Sequence, residues 1–308
     1  LATKYLTEEV SPDTEALSPA NTLYMVTGPL TGTMASTGGR YSCVTISPLT
    51  NALACSNSGG FFGNEMKCAG WDMIILEGKA SSPVYISIVD EKCEILPADE
   101  IWGKSVWEAD EWLHKKHQDP QLRIAAIGVP GEKGNLYSTI VNDLHRAAGR
   151  SGVGTVLGSK NVKAVTLRGT IGVGNIKDPK RFFEATNKAK KIIAENELVG
   201  GLTAMGTNVM MNHMNEVGAL PARNWQDSIF ENAPKLSSEA MAVPRKSDGK
   251  PNLTRNAGCF ACTISCGRIS TIDPEHFSIK NRDDIHKHFK GNSGGNEYEA
   301  AWALGCDT

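Results

Sequence analysis

From Leu23 to Ile95 short apolar or alternating runs are separated by Gly, Pro and Asn, a pattern of strands and turns. The runs are "TLYMVTGPLTG", "RYSCVTISPLT", "DMIILEGKA" and "PVYISIVDEKCEIL"; the last two, split by "EGKASS", are expected to be neighbouring strands joined by a turn. Helical spacing takes over in "SVWEADEWLHKKH". Beyond it "LRIAAIGVPGE" predicts a buried strand, "TIVNDLHRAAGR" a short helix and "VKAVTLRGT" a further strand. A helical half then opens at "DPKRFFEATNKAKKIIAENELVGG", with Asp178 as N-cap, Pro179 in the first turn and a Gly pair as its end. More helices are expected around "GTNVMMNHMNEVG", "SSEAMAVP" and "NEYEAAWALG", and residues 271–296 form a polar excursion. The fold class is therefore α+β: a β-rich domain over residues 1–172, then the start of an α-helical domain over 173–308, divided within "GTIGVGNIKDP".

Composition narrows the function classes. The 308 residues are 40% hydrophobic and 21% charged with a net charge of -2, which gives no basic surface for nucleic acid. No apolar run approaches the roughly 20 residues that cross a bilayer. The opening "LATKYLTEEV" has neither an initiator Met nor a signal pattern, and "WALGCDT" stops inside a helical pattern, so a piece of a longer chain is expected. Eight cysteines make no disulfide framework: Cys43, Cys55, Cys68 and Cys93 are scattered among strand-like residues. A reducing, cytoplasmic compartment follows.

Cys259, Cys262 and Cys266 are different, because "AGCFACTISCGR" spaces them Cys-x2-Cys-x3-Cys. Structural zinc wants a second Cys-x2-Cys pair, and none exists. Radical enzymes that use adenosylmethionine have the reverse spacing. An iron–sulfur cluster wants three close thiolates and one distant, and three cysteines packed in a core are the plain alternative. Cys306 is the nearest fourth thiol, but it follows what looks like one continuous helix; a packed thiol is the preferred reading for it.

Ahead of the cysteines lie three loops rich in Gly, Ser, Thr and Asn: "GPLTGTMASTGGRYS", "SNSGGFFGNEMKCAGWD" and "NDLHRAAGRSGVGTVLGSKN". Bare backbone N–H groups allow close approach to phosphate or a flat heterocycle. Arg40, Arg146 and Arg150 add guanidinium forks. "GVGTVLG" is not a dinucleotide fingerprint, since its third glycine, Gly158, falls one residue late and a helix is expected before it. The plain alternative is that these glycines only make turns.

In order, "GPLTGT", "TGGRY", "SPLT", "NSGGFFG", "KCAGWD", "NDLHRAAGRSGVG", the cysteine motif and "EYEAAWALG" give the whole chain a resemblance to the tungsten-containing aldehyde:ferredoxin oxidoreductase family. The resemblance implies a cofactor-binding base of paired sheets, a tungsten-bis-pterin centre, a 4Fe–4S cluster and Mg²⁺ bridging the pterin phosphates. It assigns Arg40 to the space between cluster and pterin, and the carbonyls of Asn57 and Ala147 to Mg²⁺. Ser58, Gly59, Gly60, Arg146, Gly149 and Arg150 fall in the same cofactor-binding motifs. Cys259, Cys262 and Cys266 take three cluster positions, the fourth lying in the family's C-terminal part. Glu299 takes the place of an acid beside the metal; His145 sits in a phosphate motif, and His276, His286 and His288 lie in the excursion. The implied activity is oxidation of an aldehyde substrate to a carboxylic acid, with electrons passed to ferredoxin or to Fe–S and flavin partner subunits, and homo-oligomers remain open. Two alternatives stand: the tungsten subunit of a benzoyl thioester reductase, and a non-catalytic Fe–S or zinc module.

Overall fold

Alternation along β1 (Leu23–Thr27) sends Leu23 and Met25 to one side and Tyr24 to the other, and this period sets the layers of the first unit. The computed structural model describes residues 1–223, 225–276, 280–284 and 293–294, in two units, Leu1–Phe183 and Glu184–Thr308. With α1 (Ala2–Glu9) preceding it, β1 joins β2 (Tyr41–Ile46), β3 (Leu53–Ser58) and β4 (Met73–Leu76) in an antiparallel sheet of order β3-β2-β1-β4. After α2 (Phe62–Cys68) come β5 (Val84–Val89), β6 (Lys92–Pro97), α3 (Val106–His117), β7 (Arg123–Ala126), α4 (Val129–Glu132), β8 (Ile140–Asn142), β9 (Arg146–Ala148), α5 (Val153–Ser159) and β10 (Val162–Arg168). The second sheet runs β6-β5-β10-β7-β8-β9, parallel only between β5 and β10.

Leu23, Met25, Tyr41, Phe62, Met66, Ile88, Val165 and Leu167 form the main core, with both sheets contributing. Leu6 and Val10 flank Tyr24 and Val44 on the other side of the first sheet, while α3 packs Ala109 and Leu113 on Tyr85, Ile124 and Ala164 of the second. Ser105 starts α3 with a capping box: its Oγ accepts from Glu108 N–H, and the Glu108 carboxylate accepts from Ser105 N–H. Two lysines are buried beside this framework. Lys160 donates to the carbonyls of Asn21 (2.5 Å) and Gly78 (2.9 Å), and Lys163 pairs with Glu132. Burial pushes both ammonium groups below their ordinary pKa.

α6 (Pro179–Ala194) begins in the last residues of the first unit and runs into the second; it starts as expected, with Arg181 N–H donating to Asp178 Oδ1 at 3.0 Å. α7 (Glu197–Met205), a 3-10 turn (Thr207–Val209), α8 (Met210–Glu216), α9 (Ala233–Leu236) and α10 (Ser238–Ala242) follow. Met211, Leu220, Phe230 and Leu236 form their core. β11 (Leu253–Ala257), β12 (Gly267–Ser270) and β13 (Ser293–Gly294) make a small antiparallel sheet.

Several local expectations give way. β4 and β5 belong to different sheets; the hairpin lies inside "PVYISIVDEKCEIL", as β5 and β6. "TIVNDLHRAAGR" is a hairpin, β8 and β9, because Asp143 and Leu144 turn the chain at φ of 52° and 59°. The segment before "GVGTVLG" is thus a strand, and only the late Gly158 still argues against a dinucleotide fingerprint. The Gly200–Gly201 pair sits inside α7 rather than ending a helix. The polar excursion closes on itself, since Ser293 pairs with Ser270. No described helix is long and apolar enough to cross a membrane.

Candidate functional site

β3 closes one edge of the first sheet and β9 one edge of the second, and the two strands lie side by side. Alternation along β3 buries Ala54, Ser56 and Ser58 and exposes Leu53, Cys55 and Asn57. Asn57 Oδ1 accepts from Ser42 Oγ at 2.5 Å. Ala147, Gly149 and Arg150 are exposed at and just beyond β9, and Arg40 is exposed one residue before Tyr41, which pairs with Ser58. The Arg150 N–H donates to Ser56 Oγ at 3.0 Å, stitching the third loop to β3. Thr31 Oγ1 donates to the Gly38 carbonyl at 2.9 Å and lies 3.1 Å from that of Arg40, which fixes the first loop.

Asn142 holds this seam together. Fully buried, it uses both ends of its amide. Its Oδ1 accepts from Ser58 Oγ (2.5 Å) and Tyr41 OH (3.2 Å), and its Nδ2 donates to the Gly59 carbonyl (2.9 Å) and Asp143 Oδ2 (2.8 Å). Burial holds the Tyr41 hydroxyl well above the usual tyrosine range, so it stays a donor. Asp143 Oδ2 also accepts from Phe61 N–H at 2.7 Å, and Arg123 Nη1 lies 3.7 Å from Asp143 Oδ1. The Arg123 guanidinium sits 4.8 Å from the Phe61 ring. Gly60 turns at φ +88° with the Asp143 carboxylate 2.2 Å from where a Cβ would stand, so only glycine fits. His145 Nδ1 lies 2.5 Å from the Asp143 carbonyl and braces the same turn.

Of the residues singled out by sequence, Arg40, Asn57, Ala147, Gly149 and Arg150 reach the surface; Arg146 is half-buried. Ser58, Gly59 and Gly60 are buried, and Ser58 and Gly59 bond to Asn142. Exposed guanidinium groups on small-residue loops fit an anionic, phosphate-bearing organic group. Sequence reasoning missed Asn142 and Asp143. Their one local signal is an Asn-Asp pair, a turn former, at the end of an apolar run.

The three cysteines occupy the loop from β11 to β12 in the second unit, half-buried and in no disulfide. The Cys262 N–H donates to the Cys259 carbonyl at 3.1 Å, and Ala261 and Ser265 both adopt φ of 52°. Gly258 is cramped: a Cβ there would lie 2.9 Å from Ser265 Oγ and 3.1 Å from the Cys262 carbonyl. Among the described residues no three His, Cys, Asp or Glu side chains are gathered closely enough to hold a metal ion. The donor set still fits a soft metal or a cluster, because thiols on a tightly wound loop are commonly gathered by the metal itself. Glu299, Cys306, His286 and His288 lie outside the described residues. His276 is described, and its N–H donates to the Asp273 carbonyl.

Residues 1–169 match the family model described as aldehyde ferredoxin oxidoreductase, N-terminal domain, and residues 184–308 match that for its domains 2 and 3. The chain is 44% identical over 304 residues to a tungsten-containing aldehyde ferredoxin oxidoreductase of Pyrococcus abyssi, covering 98% of this chain and 46% of that protein. For the Pyrococcus furiosus counterpart the identity is 42% over 307 residues, covering 100% and 47%. Among solved structures, the active-site complex of a benzoyl coenzyme A reductase with 1,5-dienoyl-CoA matches with a TM-score of 0.77 and 26% identity, over 99% of this chain and 46% of that one. The chain spans about half the length of the relatives it matches.

Proposed function

The chain belongs to the aldehyde ferredoxin oxidoreductase family, and on that premise we propose that it serves the oxidation of aldehydes to carboxylic acids. The reading is carried by the seam where two sheet edges bring Asn57 and Ala147 to the surface beside Arg40 and Arg150. When bound, a tungsten-bis-pterin centre supplies the two-electron oxidation and a 4Fe–4S cluster the one-electron exit. Arg40, Arg146 and Arg150 hold the anionic parts of the pterins, the arginine fork matching phosphate oxygens. The carbonyls of Asn57 and Ala147 are offered to Mg²⁺, a hard cation that joins oxygen ligands to phosphates. Cys259, Cys262 and Cys266 supply three thiolates to the cluster.

The aldehyde takes one oxygen from water and gives up two electrons and two protons. Glu299 acts as general base on water or the hydrated aldehyde. The electrons pass to ferredoxin or a partner subunit, in the cytoplasm, where free thiols persist. Reduction of a benzoyl thioester is the second reading; it rests on a likeness at 26% identity, against 44% for the aldehyde enzymes. Glu299→Gln is expected to lower aldehyde turnover ~100- to 10,000-fold, with tungsten and iron content unchanged. Undiminished turnover removes Glu299 from its role, and a natural protein holding zinc in place of tungsten and iron removes the enzyme reading altogether.

A further inference from the structure

We propose that Asp143 is a positioning residue for the cofactor seam: its carboxylate sets the Gly59–Phe61 turn against the β8–β9 turn, and retention of the pterin cofactor depends on it. The inference rests on the cofactor reading above. Three observations carry it. The Asp143 side chain is only 5% exposed although it sits on a turn, at a φ of 52° that Asp accepts more readily than most residues. Its Oδ2 accepts from the Phe61 N–H and from Asn142 Nδ2, so one oxygen joins two loops more than 80 residues apart in sequence. On the other side Arg123 approaches Oδ1 and also covers the Phe61 ring, so carboxylate and guanidinium close on Phe61 from two directions.

Gly60 completes the argument. The turn leaves no room for a side chain because the carboxylate fills that space, 2.2 Å from where a Cβ would stand. Carboxylate and glycine are matched parts of one joint. The surface groups offered to the cofactor hang directly from it: Asn57 lies three residues before Gly60, and Ala147 four after Asp143. Without the carboxylate, the Phe61 N–H loses its acceptor and the turn is free to rotate, which moves those carbonyls apart. Groups that orient ligands without touching the metal typically change affinity by about 10- to 100-fold.

The test uses the natural full-length polypeptide, purified anaerobically, and its Asp143→Ala and Asp143→Asn variants. Tungsten, organic phosphate and iron are measured after gel filtration, and melting is followed in parallel. Asp143→Ala is expected to retain at least about tenfold less tungsten and phosphate, with iron unchanged, since the cysteine loop belongs to the other unit. Asp143→Asn, whose amide oxygen still accepts from Phe61, is expected to retain an intermediate amount. Tungsten loss with iron kept, in either variant, supports the proposal. Undiminished tungsten in both overturns it, as does loss of tungsten and iron in equal proportion in both, which marks Asp143 as a mere structural pillar. Wild-type protein without tungsten or organic phosphate instead overturns the cofactor reading itself.

Discussion

The seam of the first unit and the cysteine loop of the second are built in opposite ways. At the seam a buried amide satisfies four partners, and the turn it holds is fixed by bonds within the protein itself. On the cysteine loop the donors are half-buried, in no disulfide and not gathered into a metal-binding group among the described residues. On the proposed reading the seam is a mould for its cofactor, whereas the thiolate loop is assembled together with what it binds, so the two are expected to respond differently to the same insult.

The sharpest way to break this contrast is Cys262→Ser. It is expected to abolish the cluster, read as near-complete loss of iron, and to speed hydrogen exchange in β11 and β12 while β2 and β3 keep their protection. Equal loss of protection in both sheets ends the distinction. A smaller effect is expected from Gly154→Ala. The new Cβ would stand 2.4 Å from the Thr139 carbonyl oxygen, a backbone atom that cannot swing aside, at a cost of about 1–3 kcal/mol. Thermal unfolding should fall accordingly with the iron content untouched. Smallest is a pH effect on the first unit. Burial and the neighbouring Glu9 raise the Tyr24 hydroxyl to about 12 from 10.0. A raised pKa means the stabilisation is complete below pH 10 and is lost as pH climbs through about 12. Tyr24→Phe should flatten that alkaline loss in a series of urea melts; an unchanged slope would show that Tyr24 does not titrate with unfolding.

Much of the frame is legible in sequence because it is written locally. Alternation marks β1 and β2, helical spacing marks α3, and the Asp178 cap marks the start of α6. What escapes is decided by distant partners. α2 hides in "SNSGGFFGNEMKCAGWD" because Gly63, a poor helix former, is needed where a Cβ would come 3.2 Å from the Tyr41 backbone. β8 and β9 mimic a helix because apolar spacing in so short a run fits either period, and the pairing with β7 settles it. The candidate surface residues Arg40, Asn57, Ala147 and Arg150 were nominated by motif. The joint beneath them was not: the bond from Ser58 to Asn142 spans 84 positions, and no window along the chain contains both.

One edge of the larger sheet carries a last consequence. β3 and β9 shelter each other, but among the described residues β6 has a neighbour only in β5 and leaves Lys92, Cys93, Glu94 and Ile95 exposed. Its unpaired backbone would be an invitation to a stray strand of another molecule. The paired charges of Lys92 and Glu94 and the closing Pro97 withdraw it, since a docking strand must desolvate the first two and finds no N–H on the third. The guard against edge-to-edge pairing on this strand thus rests on three residues far along the chain from the motifs that mark the candidate site.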